Sequence, residues 1–206
     1  MNAEYTPSLD HVRFQDAQAT LFGDQDGVRV WRTPDGDGIG LLIVRTAPDL
    51  PHEAATDEAF VAAYRALFVN PRAPLIEVGL DRIGTQRVVR SIVAVPQPSG
   101  GAMFIGSLTI PFADFGYVLK VQCEEHGLKG VREKAILDRQ IAAGLAQQDE
   151  NGITGEFEPY LARYDAEFPI HPLTRARHWL QRLTKHTLLD KSLKRVEPFG
   201  LPAGPG

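Results

Sequence analysis

The chain has 206 residues, 43% of them hydrophobic and 23% charged, and its formal net charge is −4. This composition is typical of a globular protein with one well-buried core. A mildly acidic chain is a poor nucleic-acid binder, because duplex binding relies on many Lys and Arg contacts to phosphates. No apolar run reaches the roughly 18 to 20 residues that span a bilayer, so we expect neither a nucleic-acid nor a membrane partner.

The N-terminus and the cysteine count predict a cytoplasmic protein. Residues 1–10 are polar and include Glu4 and Asp10, which does not match the basic and apolar regions of a cleavable signal peptide. Export by a system that reads no cleavable signal stays open. Cys123 is the single cysteine, and its alternation with Leu119 and Val121 predicts a core position without a disulfide.

The first part of the chain is predicted to hold a hairpin and a helix. Residues 27–47 place β-branched residues on both sides of a run rich in Pro, Asp and Gly, which is typical of a β-hairpin. Asp-x-Asp-Gly occurs at 24–27 and 35–38. We interpret both as turns, because the sequence lacks the further oxygen ligands of a calcium loop. Thr56 is predicted to cap a helix at 57–68.

An antiparallel meander is predicted for residues 74–146, where strand-like runs alternate with turn signals. Its four strands are expected at 75–80, 87–95, 102–110 and 115–123. The second is apolar on both faces, so it should lie inside the sheet. A helix should follow at 131–147. Its apolar stripe is predicted to consist of Val131, Ala135, Ile136, Ile141 and Leu145.

The charge changes sign along the C-terminal part. Residues 148–169 hold six acidic residues against one arginine, and residues 171–195 hold seven basic residues against one aspartate. An amphipathic helix is predicted at 173–188. Its stripe should consist of Leu173, Ala176, Leu180, Leu183 and Thr187. Two interpretations stay open: either the acidic segment lies against this helix, or the helix and Trp179 contact an acidic partner.

These elements predict an α+β fold, namely an antiparallel β-meander sheet with packed helices, plus a C-terminal helical appendage. Residues 1–147 would form an α/β sandwich core domain. Residues 148–206 would supply an acidic linker, the basic amphipathic helix and a tail rich in Pro and Gly. Uncovered edges of the meander would favour pairing with another copy, so a homo-oligomer is one expectation.

The order of elements resembles the PsbP/DcrB-like α/β/α sandwich over roughly residues 10–147. The resemblance rests on the helix at 57–68, the strand at 87–95, the run 110–119, and the segment 127–133 that opens the following helix. It implies a binding or adaptor protein, since members include photosystem assembly factors and bacterial chaperones for secreted effectors. The group carries no shared catalytic residues, so the resemblance transfers none to this chain, and we expect no cofactor.

The first functional hypothesis is a non-enzymatic binding protein with a protein partner: an adaptor, a secretion-associated chaperone or an immunity-type protein. Helices would cover one face of the sheet, and the other face would hold a segment of the partner. The residues predicted to bind are Arg87, Arg90, Met103, Phe104 and Tyr117.

The second hypothesis is an enzyme that acts on a small anionic substrate. Its anion site would gather Arg90, Glu124, His126, Lys129 and Arg132, and it requires these side chains to converge in one pocket. The simpler interpretation of Glu124 and His126 is a polar loop, since adjacent residues point in different directions.

A metal site is not expected from the sequence alone. His178 and His186 would stand about 12 Å apart along a helix, which is too far to share one zinc ion. His171 precedes a proline and is interpreted as part of a helix start. Zinc binding would therefore need ligands from another segment.

Overall fold

A seven-stranded antiparallel sheet organises the chain. The computed structural model describes residues 5–25, 27–52 and 54–203. The strands are β1 (Val12–Phe14), β2 (Thr20–Gln25), β3 (Val28–Arg32), β4 (Gly38–Val44), β5 (Leu75–Ile83), β6 (Gln86–Pro96), β7 (Ala102–Pro111), β8 (Gly116–Glu124), β9 (Ala146–Asp149), β10 (Gly152–Gly155) and β11 (Thr187–Leu189). The helices are α1 (Asp57–Leu67), α2 (Val131–Ala142) and α3 (Pro172–His186). The strands of the large sheet follow the order β2-β3-β4-β8-β7-β6-β5. The predicted α+β class is confirmed.

The predicted hairpin is formed by β3 and β4, joined by a tight turn. Thr33 N–H donates to the carbonyl of Asp37, and Asp37 N–H donates to Thr33 Oγ1, both at 3.0 Å. Gly36 has a φ of +84°, a conformation that glycine adopts without steric cost. The turn interpretation of 35–38 is thus confirmed, whereas Asp26 of the other Asp-x-Asp-Gly run lies outside the described residues.

The meander of β5 to β8 is confirmed with small shifts in its ends. β6 pairs with β5 on one side and β7 on the other, so it lies inside the sheet as predicted, next to the edge strand β5. β8 occupies the middle position and pairs with β4 as well as β7. Along β8, the apolar residues from Tyr117 to Cys123 alternate with Lys120 and Gln122, which are less buried.

Helix α3 covers one face of this sheet, and it does so within the same chain. Leu173, Ala176, Leu180 and Leu183 are fully buried and belong to one core cluster with the sheet residues. A Cβ added at Gly106 of β7 would lie 3.0 Å from Leu180 Cδ1, so the helix packs directly on the strand. The predicted stripe is confirmed, but the helix ends at His186 and Thr187 begins β11, which pairs with β1.

Helix α1 lies on the opposite face, at the β5 end of the sheet. Thr56 Oγ1 accepts a hydrogen bond from Ala59 N–H at 3.2 Å, which confirms the predicted cap. Phe60 is fully buried. Asp57 forms an ion pair with Arg87 of β6, whose side chain points away from the α3 side because Val88 points towards it. The sheet is therefore layered between helices.

The helix predicted at 131–147 begins where expected, but the prediction is wrong in its length and in most of its buried face, since Ile136 is the fully buried member of the predicted stripe. Helix α2 ends at Ala142, and residues 146–155 form the β9–β10 hairpin instead. Val131, Ile141 and Leu145 are 49%, 40% and 48% exposed. The residues that α2 buries are Arg132, Ile136, Leu137 and Gln140. Because Arg132 is hydrogen-bonded into the segment at 159–165, the helix presents that face inward rather than its most apolar stripe.

The basic residues of α3 are mostly neutralised by acids from elsewhere in the chain. Arg175 forms a bidentate pair with Asp37, and Arg182 forms one with Asp16. Asp165 is the residue of the acidic segment that pairs with this helix, through Arg177. Among the described residues, none of the helices combines the length and the hydropathy needed to cross a bilayer.

Candidate functional site

Three of the five predicted binding residues lie on different faces of the sheet. Phe104 and Tyr117 are fully buried on the face that α3 covers. Met103 lies on the opposite face and is half-buried. Because successive residues of a strand point to opposite faces, Met103 and Phe104 cannot line one surface. Tyr117 instead lies close to His11, with 3.2 Å between its hydroxyl oxygen and His11 Nδ1.

The two arginines of that predicted set are paired within the chain. Arg87 lies against Asp57 of α1. Arg90 donates to Glu77 at 3.1 Å and lies 3.5 Å from Asp81, at the β5 edge on the α3 side. Their charges therefore serve internal contacts between strands and helices.

The residues of the predicted anion site do not converge. Glu124 and His126 do line one small cavity of about 220 Å³ beside the β3–β4 turn. Lys129 Nζ instead donates to Ser99 Oγ and to the Gly100 carbonyl, both at 2.8 Å. Arg132 is buried without any exposed surface, and Arg90 lies at the β5 edge.

Along strands β3, β4, β8 and β7, the side of the sheet opposite α3 carries apolar side chains that are mostly half-buried. We call it the open face. It consists of Val30, Leu42, Met103, Ile105, Ser107, Thr109, Val118 and Lys120. All of these side chains are half-buried except Val118, which is 9% exposed. Cross-strand pairing aligns Leu42, Val118 and Thr109 in one continuous row. α1 covers this side of the sheet at its β5 end, where Asp57 pairs with Arg87.

The open face carries positive charge at its centre and at its β3 end. Lys120 takes part in none of the ion pairs found among the described residues. Arg32 extends over the ring of Phe22 at 4.5 Å, and Phe22 is 67% exposed. The Phe22 ring and Arg32 thus border the apolar rows, and Lys120 lies among them.

The sheet ends at β2 and β5, which are its edge strands. Within β2, Leu21 and Phe22 are 56% and 67% exposed, and the pairing with β3 shifts between Leu21 and Gly23. A bulge of this kind twists a strand and disfavours regular pairing along its free edge. The open face is therefore a more regular contact surface than the edge.

The structure also brings together three potential metal ligands that come from three separate segments of the chain. The sequence analysis did not find this cluster, because the segments are far apart in the chain. Glu125 follows β8, Glu133 lies in the first turn of α2, and His171 caps α3. One ligand atom from each of these residues lies within 4.8 Å of the other two. Burial favours the protonated form of Glu133, yet the neighbouring His171 holds the pKa of Glu133 below its ordinary value of 4.5. Only the proline after His171 gave a sequence signal, and that signal concerned the helix start.

The cluster is held in place by the backbone. Glu125 Oε1 accepts a hydrogen bond from Gly130 N–H at 2.7 Å. His171 Nδ1 accepts one from Leu173 N–H at 3.2 Å. Burial and the adjacent Glu133 raise the pKa of Tyr160 to about 12, so its phenol is neutral beside this carboxylate. One imidazole and two carboxylates are a donor set that divalent metal ions accept.

Comparisons with known proteins leave the chain without an assigned family. No family model matches it, and no curated protein matches it. A crystal structure of a protein from Bacteroides thetaiotaomicron aligns with a TM-score of 0.35 and 12% sequence identity. The alignment covers 60% of this chain and 42% of that one, so this chain spans less than half the length of that protein. Similarity at this level supports no conclusion about fold or function.

Proposed function

We propose that this chain is a non-enzymatic binding protein of the cytoplasm that holds an amphipathic helix of a protein partner on its open face. The proposal places it among adaptors, secretion-associated chaperones or immunity-type proteins. The observation that carries it is the asymmetry of the sheet. α3 seals one face with fully buried leucines, whereas apolar rows on the other face remain half-exposed.

A helix is the occupant that fits the dimensions. Neighbouring strands are about 4.8 Å apart, and a helix with its side chains is about 10 Å wide. A helix that packs on a sheet therefore covers two or three strands. α1 already packs on this side of the sheet against the edge strand β5, with Phe60 buried and Asp57 paired with Arg87 of β6. The neighbouring strands β7, β8 and β4 form a surface wide enough for a second helix on the same side of the sheet as α1.

The charges of the open face favour an acidic flank on the partner helix. Lys120 lies among the apolar residues, and Arg32 borders them. A carboxylate near either cation would steer association and orient the helix more than it would add affinity. The apolar stripe of the partner would supply most of the binding free energy.

The layering of helices on both sides of an antiparallel sheet supports the proposed kinship with PsbP/DcrB-like sandwiches. That kinship remains a proposal on pattern. Pairing with a second copy of the chain is the competing occupant. The residues predicted for an anionic substrate lie apart, so we do not propose an enzymatic activity for them.

Photo-crosslinking in the organism that expresses the protein tests this function. We would place p-benzoylphenylalanine at Ile105 on the open face, and at Leu128 as the control. Leu128 is 85% exposed and lies in the loop before α2. A covalent adduct formed from position 105 but not from 128, and mapped by mass spectrometry to an amphipathic helix of another protein, would support the proposal. An adduct to the chain itself, or no adduct specific to position 105, would overturn it.

Two variants distinguish damage to the binding surface from unfolding of the protein. For these variants the crosslinker is placed at Leu42, which also lies on the open face. Ile105→Asp places a charge in the apolar rows and should abolish the adduct formed from position 42. Lys120→Glu changes only a half-exposed cation, so it should keep the wild-type Tm and still reduce the yield of that adduct. An unchanged yield in both variants would contradict the proposed surface.

A further inference from the structure

We propose that Glu125, Glu133 and His171 form a binding site for a divalent metal ion of the zinc class. The three residues come from the end of β8, the first turn of α2 and the cap of α3. Their ligand atoms lie within 4.8 Å of one another. The site is separate from the open face, because it is built from the segments between β8 and α3.

Two buried polar atoms in this cluster have no hydrogen-bond partner. They are His171 Nε2 and Glu133 Oε2. The His171 side chain is only 6% exposed, so water does not satisfy it freely. Buried polar atoms without partners are costly and uncommon in folded proteins. A metal ion bound by His171 Nε2 and by the Glu133 carboxylate would satisfy both.

The separation of the ligands matches coordination better than it matches a hydrogen bond. His171 Nε2 lies 3.5 Å from Glu133 Oε1. This distance is long for a hydrogen bond. Two ligands bound tetrahedrally to zinc at about 2.1 Å stand roughly 3.4 Å apart, which is close to the observed spacing. Glu125 supplies the third ligand.

The donor set selects the class of metal. Two carboxylates balance the charge of a divalent ion, and the imidazole favours zinc or a neighbouring transition metal over magnesium or calcium. Three protein ligands leave a fourth position for water or a partner's side chain. Gly130 N–H holds Glu125 at 2.7 Å, which is the outer contact expected to orient a ligand.

Metal binding must change how α3 begins. His171 Nδ1 accepts the Leu173 N–H, so a neutral ring carries its hydrogen on Nε2. A ring that binds metal through Nε2 carries that hydrogen on Nδ1 and no longer accepts from Leu173. The metal therefore replaces a helix cap with a coordination bond, and the capping contact is the weaker of the two.

Calorimetric titration of the chelator-treated protein with zinc chloride tests the site, with magnesium chloride for comparison. We expect one equivalent of zinc bound, and no comparable binding of magnesium. His171→Asn keeps a capping oxygen for α3 but lacks the imidazole, and Glu133→Gln lacks the anionic ligand. Each should weaken zinc binding by more than about 100-fold. Glu124→Gln, next to the cluster, and His178→Ala, an exposed histidine of α3, should bind as the wild type does.

Two measurements make the result decisive. His171→Asn keeps the cap but loses a buried ring 5.4 Å from Phe104, so its Tm in chelator should be lower than that of the wild type. Zinc should raise the Tm of the wild type and leave that of His171→Asn unchanged. In ¹⁵N NMR spectra, zinc should shift His171 Nε2 and the Leu173 amide together. The proposal is overturned if the wild type binds no zinc, if His171→Asn binds as tightly as the wild type, or if His178→Ala abolishes binding.

Discussion

Arg132 donates from Nη1 to Oδ1 of Asp165 at 2.9 Å, and the Arg132 side chain has no exposed surface. The same guanidinium donates to the carbonyls of Pro159 and Leu161 at 2.8 and 2.9 Å. It also contacts Thr174 Oγ1 of α3 at 3.2 Å. One side chain therefore joins α2, the segment at 159–165 and α3.

Arg132→Met should destabilise the fold by about 3–5 kcal/mol, because it leaves one buried and one partly buried carbonyl without this donor and removes a cation from Asp165. Urea unfolding measures this change. Lys129→Met is the matched control, since Lys129 donates only to exposed acceptors around Ser99 and should cost less than about 1 kcal/mol. Equal losses in the two variants would show that Arg132 does not connect these segments.

Gly106→Ala should lower the free energy of unfolding by about 1–3 kcal/mol, because the added Cβ would meet Leu180 and Val121 at 3.0 Å. The helix α3 would have to move away from β7. Gly40→Ala in β4 is the control, since nothing lies within 4 Å of its added Cβ. We expect the control to retain wild-type stability, and a destabilised control would indicate a general loss of backbone freedom instead.

Cys123 should react with thiol reagents only when the protein opens. Burial, with a further contribution from Asp37, raises the pKa of the Cys123 thiol far above its ordinary range. If labelling needs an opening worth about 3 kcal/mol, the native rate will be more than about 100-fold below that of the unfolded chain. The reaction can be measured with dithiobisnitrobenzoate, and labelling of the native protein should stay slow up to about pH 9. Fast labelling of the native protein would place the thiol at the surface.

Stability should fall in acid partly through Asp16. Its hydrogen bonds to Arg182 hold the pKa of Asp16 below the ordinary value of 3.8. The stabilisation is therefore complete above pH 3.8 and is lost as the pH falls through the lower pKa of the folded state. Asp16→Asn should be less stable at neutral pH and should lose less stability on acidification.

Urea midpoints measured between about pH 7 and pH 2 would test this. Asp114→Asn provides the comparison, because Asp114 takes part in none of the ion pairs found among the described residues. Its acid profile should match that of the wild type. If Asp16→Asn also follows the wild-type profile, the Arg182 pair contributes nothing to acid sensitivity.

The elements were largely predictable because their signals are local. Period-two alternation between 115 and 123 and the cap at Thr56 each depend on neighbouring residues, and the structure confirms both. The same reasoning was wrong for α2. Its apolar stripe predicted the buried face, but the structure buries Arg132, which donates to Asp165. These two residues are 33 positions apart in the chain, so no local pattern predicted their contact.

The predicted binding residues show the same limit of prediction from local sequence patterns. Chemical character singled out Phe104 and Tyr117, yet both lie in the core under α3. Once a strand has apolar residues on both faces, the sequence does not say which face a helix covers. Ile105 and Leu42, which are central to the open face, carry no signal that distinguishes them from core residues.

From the sequence alone one can determine the α+β class, the run of strands and the helical periods, because backbone geometry repeats over a few residues and side-chain polarity follows it. The tertiary structure alone decided which face of the sheet α3 covers and that Glu125, Glu133 and His171 meet. These outcomes depend on contacts between residues far apart in the chain. Such contacts are selected by the packing of the whole core, and no local pattern encodes that packing.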